Sequence, residues 1–381
     1  MAKKRTTLPS DFDKQLEAKT PAELIALFDT MELDARTRGA PKRTAIAFPW
    51  CPDELTRWLV AQGLDVDALN GYHTTPLTER AGSYRWVDHV KRGCNIAILL
   101  ELGAKVDGNP AERGTPLQRA VSGGVLDHVR MLVEHGADLQ VRDVGNDRNL
   151  LEVAVLRTGD GQDAERLAIV EYLVGLTARA TGLAGMIGGK PVFGVTDDIR
   201  KTVRKLDYDW QRWKAHTAGG ETNERLDRWG GTIARLRDLF GVEPVAPVVI
   251  HDGRSPITVR AQGWKAQHDE LWEFLVPTGG AAATVQGEVV RISGRIADEM
   301  YRNGGANWDG GYRAMLSSFP ELIQRGNPCE AETVLDALRC ATDLADGDYL
   351  DEPIDRLRQI AVDWVLRNPD PIPLPPPAYQ L

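Results

Sequence analysis

Apolar residues along the first half of the chain recur at helical spacing in short paired runs, each pair closed by a glycine. The stretch GTPLQRAVSGGVLDHVRMLVEHGADLQVRD, residues 114–143, shows the unit. Leu117, Ala120 and Val121 form a short apolar face at three- and four-residue spacing. Thr115 is placed to cap that helix, and Pro116 suits its first position, where no N–H partner is lost. Ser122-Gly123-Gly124 breaks the pattern. Val125, Val129, Leu132 and Val133 then mark a second helix, and Gly136 stands where a left-handed residue ends it. A polar exit, residues 138–143, leads onward.

The pattern recurs. Upstream, Thr75-Pro76-Leu77 and the run ILLELGAKVD (98–107) repeat both halves, and LTRWLVAQGLDVD (55–67) supplies another second helix with its glycine exit. Downstream, NLLEVAV (149–155) takes the Thr-Pro-Leu place and residues 167–176 its partner. The Thr-Pro-Leu and Leu-Val-Glu-His-Gly-Ala-Asp signatures resemble the ankyrin repeat, a helix–turn–helix–loop unit with a period of about 33 residues. Pro76 and Pro116 stand farther apart than that period, which places an insertion around residues 82–92. About four repeats are expected over residues 40–180, with residues 21–31 capping the stack, because each unit is half a core and stacking completes it. The expected ankyrin domain is residues 1–185. The resemblance implies a protein partner, bound by loop tips and inner-helix positions. The tips map to 70–73, 109–113 and 145–148, and the exposed inner-helix positions to Thr78, Arg80, Gln118 and Arg119. Partner-binding residues on this reading are Tyr72, His73, Arg80, Arg113, Gln118, Arg119 and Arg148.

After Val195 the repeat is lost, but helical periodicity continues. Residues 196–213, 226–240, 264–275, 284–302, 332–344 and 352–366 read as amphipathic helices, that over 284–302 the longest. Its stripe is Val285, Val289, Ile292, Ile296 and Met300. Gly287 and Gly294 on it allow another element to approach closely. Residues 248–250 and 257–259 flank His251-Asp252-Gly253 as a short β-hairpin, the one convincing strand signal. The fold class expected is therefore mainly α: an ankyrin solenoid, then a mostly helical domain over 186–368 with one short hairpin. The tail, residues 369–381, is too proline-rich to fold. HDGRSPI, LWEFLVP, TVQGEVVRISGRI and NGGANWD resemble the C-terminal half of bacterial ankyrin-repeat proteins of uncharacterised function. That likeness implies a bacterial origin and assigns no chemistry.

Composition narrows the classes. Among 381 residues, 42% are apolar and 27% charged, as in a globular protein. No apolar run reaches the roughly 18 residues of a membrane span, and the basic start has no apolar segment behind it, so a cytoplasmic location is expected. A net charge of −9 argues against general nucleic-acid binding and is compatible with a basic protein partner. Cys51, Cys94, Cys329 and Cys340 are too scattered for a disulfide framework or zinc knuckle, and read as reduced thiols. Seven of ten tryptophans follow residue 200, which suits core anchors or an interface.

Candidate chemistry is sparse. His251-Asp252 has the makings of a base and its orienting carboxylate, but Asp-Gly between strand-like runs also makes a turn. His268 lies at a helix start among acids, as a solvated helix face would. Glu288, Arg291, Arg295 and Glu299 stand at spacings that allow an ion-pair ladder. Asn307 and Asp309 suit a turn, Asp309 as a cap for a following helix. No phosphate loop, zinc-protease or nucleophile-elbow motif is present. No cofactor or metal is expected. Three readings remain open: an interaction module, acting as adaptor or inhibitor; an immunity or antitoxin-like protein neutralising a basic partner; and an enzyme built on His251, Asp252, His268 and Glu288.

Overall fold

The structure is a computed structural model that describes residues 3–87, 90–93, 95–109, 114–143, 145–158, 163–180, 186–187, 190–191, 194–217, 224–345 and 351–379. They fall into two compact units, residues 1–207 with 223–245, and residues 208–222 with 246–381. The fold is mainly helical. No helix among the described residues is long and apolar enough to cross a membrane.

The first unit opens with β1 (Arg5–Thr7), α1 (Phe12–Ala18), α2 (Pro21–Ala26) and β2 (Met31–Arg36). β1 and β2 pair in parallel. Thr20 and Glu23 form a reciprocal capping box at α2, satisfying donors that a helix start leaves open. Leu8, Phe12, Leu24, Phe28 and Met31 bury their side chains in the core that the repeats continue.

Four pairs follow. A single 3-10 turn, Ala45–Ala47, precedes α3 (Asp53–Ala61) in the first. α4 (Pro76–Ala81) and α5 (Ala97–Glu101) make the second, with the insertion between them folded as an antiparallel hairpin, β3 (Tyr84–Val87) and β4 (Val90–Gly93). α6 (Pro116–Gly123) pairs with α7 (Leu126–Glu134), and α8 (Leu150–Leu156) with α9 (Asp163–Ala180). Thr75 and Thr115 cap their helices with Pro at the first position. Gly63, Gly103 and Gly136 end the outer helices with φ of 104°, 87° and 82°, which a side chain would resist. The exits are stitched together: Lys105 N donates to Asp67 Oδ1 (3.2 Å), and Asp138 N to Asp107 Oδ1 (2.9 Å).

A second small hairpin, β5 (Met186–Ile187) with β6 (Lys190–Pro191), precedes α10 (Asp197–Thr217) and α11 (Glu224–Phe240). α10 is longer than the helix over 284–302 that the pattern marks as the longest. Ile199 and Val203 of α10, with Leu236 and Phe240 of α11, join the core of the repeats.

The second unit holds α12 (Trp264–Leu275), α13 (Val285–Asn303), α14 (Gly310–Leu322), α15 (Ala331–Asp343) and α16 (Asp351–Arg367). α13 runs through its middle. The whole stripe from Val285 to Met300 is buried, and so are Val290, Ser293 and Ala297 on its other sides. Both helix glycines are closely covered: a methyl at Gly294 would strike the Trp272 ring, and one at Gly287 would stand 2.8 Å from the Ala282 side chain. Trp364 of α16 lies in the core, while Trp213 of α10 is exposed.

Two expectations need correction. Residues 248–250 and 257–259 form no strand. Asp252 Oδ1 accepts from Arg254 N (2.8 Å) and Ser255 N (2.7 Å), winding the loop tightly. The flanking runs then find separate partners, His251 N on Phe274 O (2.9 Å) and Ile257 N on Pro369 O (2.7 Å). The tail is also ordered against the unit. Val285 N donates to Ile372 O (2.8 Å) and Leu374 N to Ala283 O (2.9 Å), while Gln286 Nε2 reaches Asn368 O and Asp370 O, both at 2.8 Å. Prolines remove donors from the tail, but Ile372 and Leu374 keep theirs and pack apolar side chains on the core.

Candidate partner-binding groove

The loop ahead of α4 is shaped by one buried side chain. Asn70 Oδ1 accepts from Tyr72 N (2.7 Å) and Thr74 N (3.0 Å), and its Nδ2 donates to Glu79 Oε1 (2.5 Å). Glu79 in turn pairs with Arg43 Nη2 (2.8 Å). His73 adopts a left-handed backbone, φ 61°, and its carbonyl accepts from Asn109 Nδ2 of the next tip (3.1 Å). Fixed in this way, Tyr72 stands 64% exposed. Below the tip runs a groove of about 930 Å³, floored by α4 and α6 and walled by Tyr72, His73, Glu79, Arg43, Arg119 and Arg157. The two floor helices touch through glycine: a methyl on Gly123 would stand 2.5 Å from Gly82 O. Neither glycine contributes a side chain to the floor at that point.

Tyr72, His73 and Arg119 thus meet at one groove. Arg80 does not. It stands four residues after Pro76, as Ala120 stands four after Pro116, and both are fully buried. The groove-lining register is instead that of Glu79, mostly covered, and Arg119, which is exposed. Arg80 points into the space beside the preceding pair, where its Nε donates to Ile46 O (2.9 Å), Nη1 to Asn95 O (2.8 Å) and Nη2 to Thr56 Oγ1 (3.2 Å). Gln118 and Thr78 are also buried rather than exposed. The Gln118 side chain accepts from Thr115 N (2.8 Å) and closes a capping box, and Thr78 lies 2.9 Å from the Thr75 hydroxyl. Arg148 lines a separate hollow with Arg142, Glu152 and Lys201. Arg113 lies outside the described residues. Arg43, Arg157 and Glu79 carry no signal in the sequence pattern, and Asn70 enters it only as the start of the 70–73 tip. Asn-Gly ahead of the Thr-Pro-Leu run was the available signal for Asn70, since Asn side chains bond their own backbone in turns.

With this geometry in place, comparison with known families gives one match. Residues 114–144 match the ankyrin-repeat family model. No curated protein matches the chain. The matched ankyrin repeat spans α6, α7 and the exit loop, and so contributes Arg119 and the Gly123 side of the groove floor.

The four residues considered for catalysis do not come together. His251 Nδ1 accepts from Gly253 N (3.0 Å), and its Nε2 lies 2.7 Å from Ser255 O, so both ring nitrogens serve the loop. Hydrogen bonds from Ser255 and Arg254 hold the Asp252 carboxyl far below the usual carboxylate range, which makes it a poor base. His268 is buried on α12 with Nε2 3.0 Å from Ser293 Oγ, and Glu288 is taken up by Arg291. Glu299 does not continue an ion-pair ladder. It accepts from Asn307 N (2.7 Å) and from the Asn303 and Asn307 amides, organising the turn after α13, while Asp309 caps α14 through Gly311 N (2.9 Å). Cys51, Cys329 and Cys340 are free thiols, and Cys94 lies outside the described residues.

His268 carries a pH prediction. Burial, and then the nearby Arg358 charge, lower its pKa from 6.5 to about 3. Its folded pKa lies below its unfolded one, so the unfolded chain binds the extra proton and stability falls as pH drops from about 6.5 towards 3. Urea midpoints measured at pH 7 and 5 should fall more for the native chain than for His268→Gln. Equal falls would mean that this imidazole does not couple folding to pH.

Proposed function

We propose that the chain is a protein-interaction module, and that its partner lies in the groove between the 70–74 tip and the inner helices α4 and α6. The observation that carries this is the tip itself: a buried asparagine spends its hydrogen bonds holding an exposed tyrosine over an open groove. An exposed aromatic on a rigid support loses little freedom on binding, which favours it as an anchor. The ankyrin repeat at 114–144 supports the same reading, since stacks of this kind present extended concave surfaces. The enzyme reading draws no support from the scattered His251, His268 and Glu288.

The test is photo-crosslinking of the full chain in the cells that make it. A benzoylphenylalanine at position 72 is expected to give a discrete protein adduct that Arg119→Glu removes. The same probe at exposed Leu335, in the second unit, is expected to give none of that mass. Identical adducts from both positions, or none that depends on Arg119, would overturn the assignment.

A further inference from the structure

The groove does not end at Arg43. A second hollow of about 680 Å³ shares Arg43, Gly82 and Ser83 with it and continues past Arg38, Asp13 and Trp50. The two make one trough within the first unit. Its charge is opposite to that of the chain as a whole, which carries −9. Arg38, Arg43, Arg119 and Arg157 face carboxylates from only Asp13 and Glu79 among the described lining residues. Glu79 is already held by Arg43 and Asn70. The exposed guanidinium groups of Arg38, Arg119 and Arg157 make no hydrogen bond or ion pair with a described residue. Arginine forks left open on a concave surface match carboxylates in pairs. Between these cations stand Tyr72, exposed at one end, and the half-buried Trp50 at the other.

Resting on the interaction-module reading, we propose that the trough takes an extended acidic segment of a protein partner. Its Asp and Glu side chains reach Arg38, Arg119 and Arg157, and apolar residues between them lie against Trp50 and Tyr72. Charge complementarity of this kind selects partners and speeds encounter. It also runs against a basic occupant at this site, which would meet the arginines.

The test uses the full chain and fluorescence anisotropy of three labelled probes of similar length. These are a peptide of alternating Glu/Asp pairs and Leu, its counterpart with Lys for each acid, and a single-stranded oligonucleotide. The acidic peptide is expected to bind at low salt, and the basic one at least about tenfold more weakly. Raising salt from 50 to 300 mM should weaken the acidic peptide severalfold, because exposed charges are screened. Arg119→Glu with Arg157→Glu should cost a further tenfold or so, and Arg119→Gln with Arg157→Gln an intermediate loss, with circular dichroism showing all variants folded. Equal binding of the two peptides, or loss of none in the variants, overturns the proposal; preference for the oligonucleotide replaces the peptide by nucleic acid. If position 72 still crosslinks a protein while the acidic peptide fails, the module reading stands and the partner chemistry falls.

Discussion

Arg80→Ala is expected to lower the stability of the first unit by about 3–5 kcal/mol. The guanidinium now satisfies Ile46 O and Asn95 O and reaches the Thr56 hydroxyl. Truncation leaves the Ile46 carbonyl buried without this partner, at roughly 1–3 kcal/mol, takes a bond from the more exposed Asn95 carbonyl, and empties a large side-chain volume besides. An opposing expectation exists, since the matching position in the next unit is Ala120 and alanine suits a helix better than arginine. That gain is only a few tenths of a kcal/mol, so the carbonyls decide. Lysine should recover little, because one ammonium does not span acceptors that the planar fork reaches in different directions. Arg119→Ala, one register back on the next inner helix and exposed, should stay within about 0.5 kcal/mol. Urea unfolding of the full chain, followed by circular dichroism, checks the pair. Equal midpoints for the two variants would show that the Arg80 bonds contribute nothing net.

Arg80 marks the limit of helical periodicity as a guide to burial. α4 has six residues, fewer than two turns, so its periodicity cannot separate a buried position from an exposed neighbour. Aligning Pro76 with Pro116 fixes the register, and charge alone misled. Longer helices were more legible in their bounds and main stripe: α12 spans 264–275 as the pattern marks it, although His268 on it is buried rather than on a solvated face, and the apolar stripe of α13 is buried throughout. The connections were less legible. At residues 248–259, β-branched runs on either side of Asp-Gly suggested a hairpin, but the Asp252 side chain organised a different loop. In the insertion, a strand pair formed where no alternation announced it. Of the groove, Tyr72, His73 and Arg119 could be placed from the repeat. Arg43 and Arg157 come from other units, and only stacking brings them to the same wall. Likewise the tail has no periodicity to read, and its order depends on acceptors and apolar surface supplied by α13 and the residues before it.

Glu288→Ala and Arg291→Ala are each expected to cost the second unit about 3–5 kcal/mol, while replacing both by methionine should restore most of the loss. The pair is wholly buried, with Arg291 Nε 2.9 Å from Glu288 Oε2 and Nη2 2.7 Å from Oε1. Ala282 N donates to Oε2 (2.9 Å), and the Tyr379 hydroxyl to Oε1 (2.8 Å). Burial above all, and with it the Glu288 charge, pushes the Tyr379 pKa up to about 12 against the Ser318 hydroxyl nearby, so the phenol stays protonated and able to donate. Removing one ion strands the other in a low-dielectric interior, whereas removing both removes the desolvation cost of each. Tyr379→Phe deletes one charge-assisted hydrogen bond and should cost roughly 1.5–3 kcal/mol. Urea midpoints of the four variants separate the contributions, and the double alanine variant closes a cycle with the two alanine singles whose coupling energy isolates the pair. Singles within 1 kcal/mol of the native chain would mean that water reaches the pair and solvates whichever ion remains. A loss in Tyr379→Phe has a further consequence, because that residue belongs to the proline-rich tail: the last turn of chain is then a structural part of the unit, sealing an ion pair that α13 alone leaves open on one side.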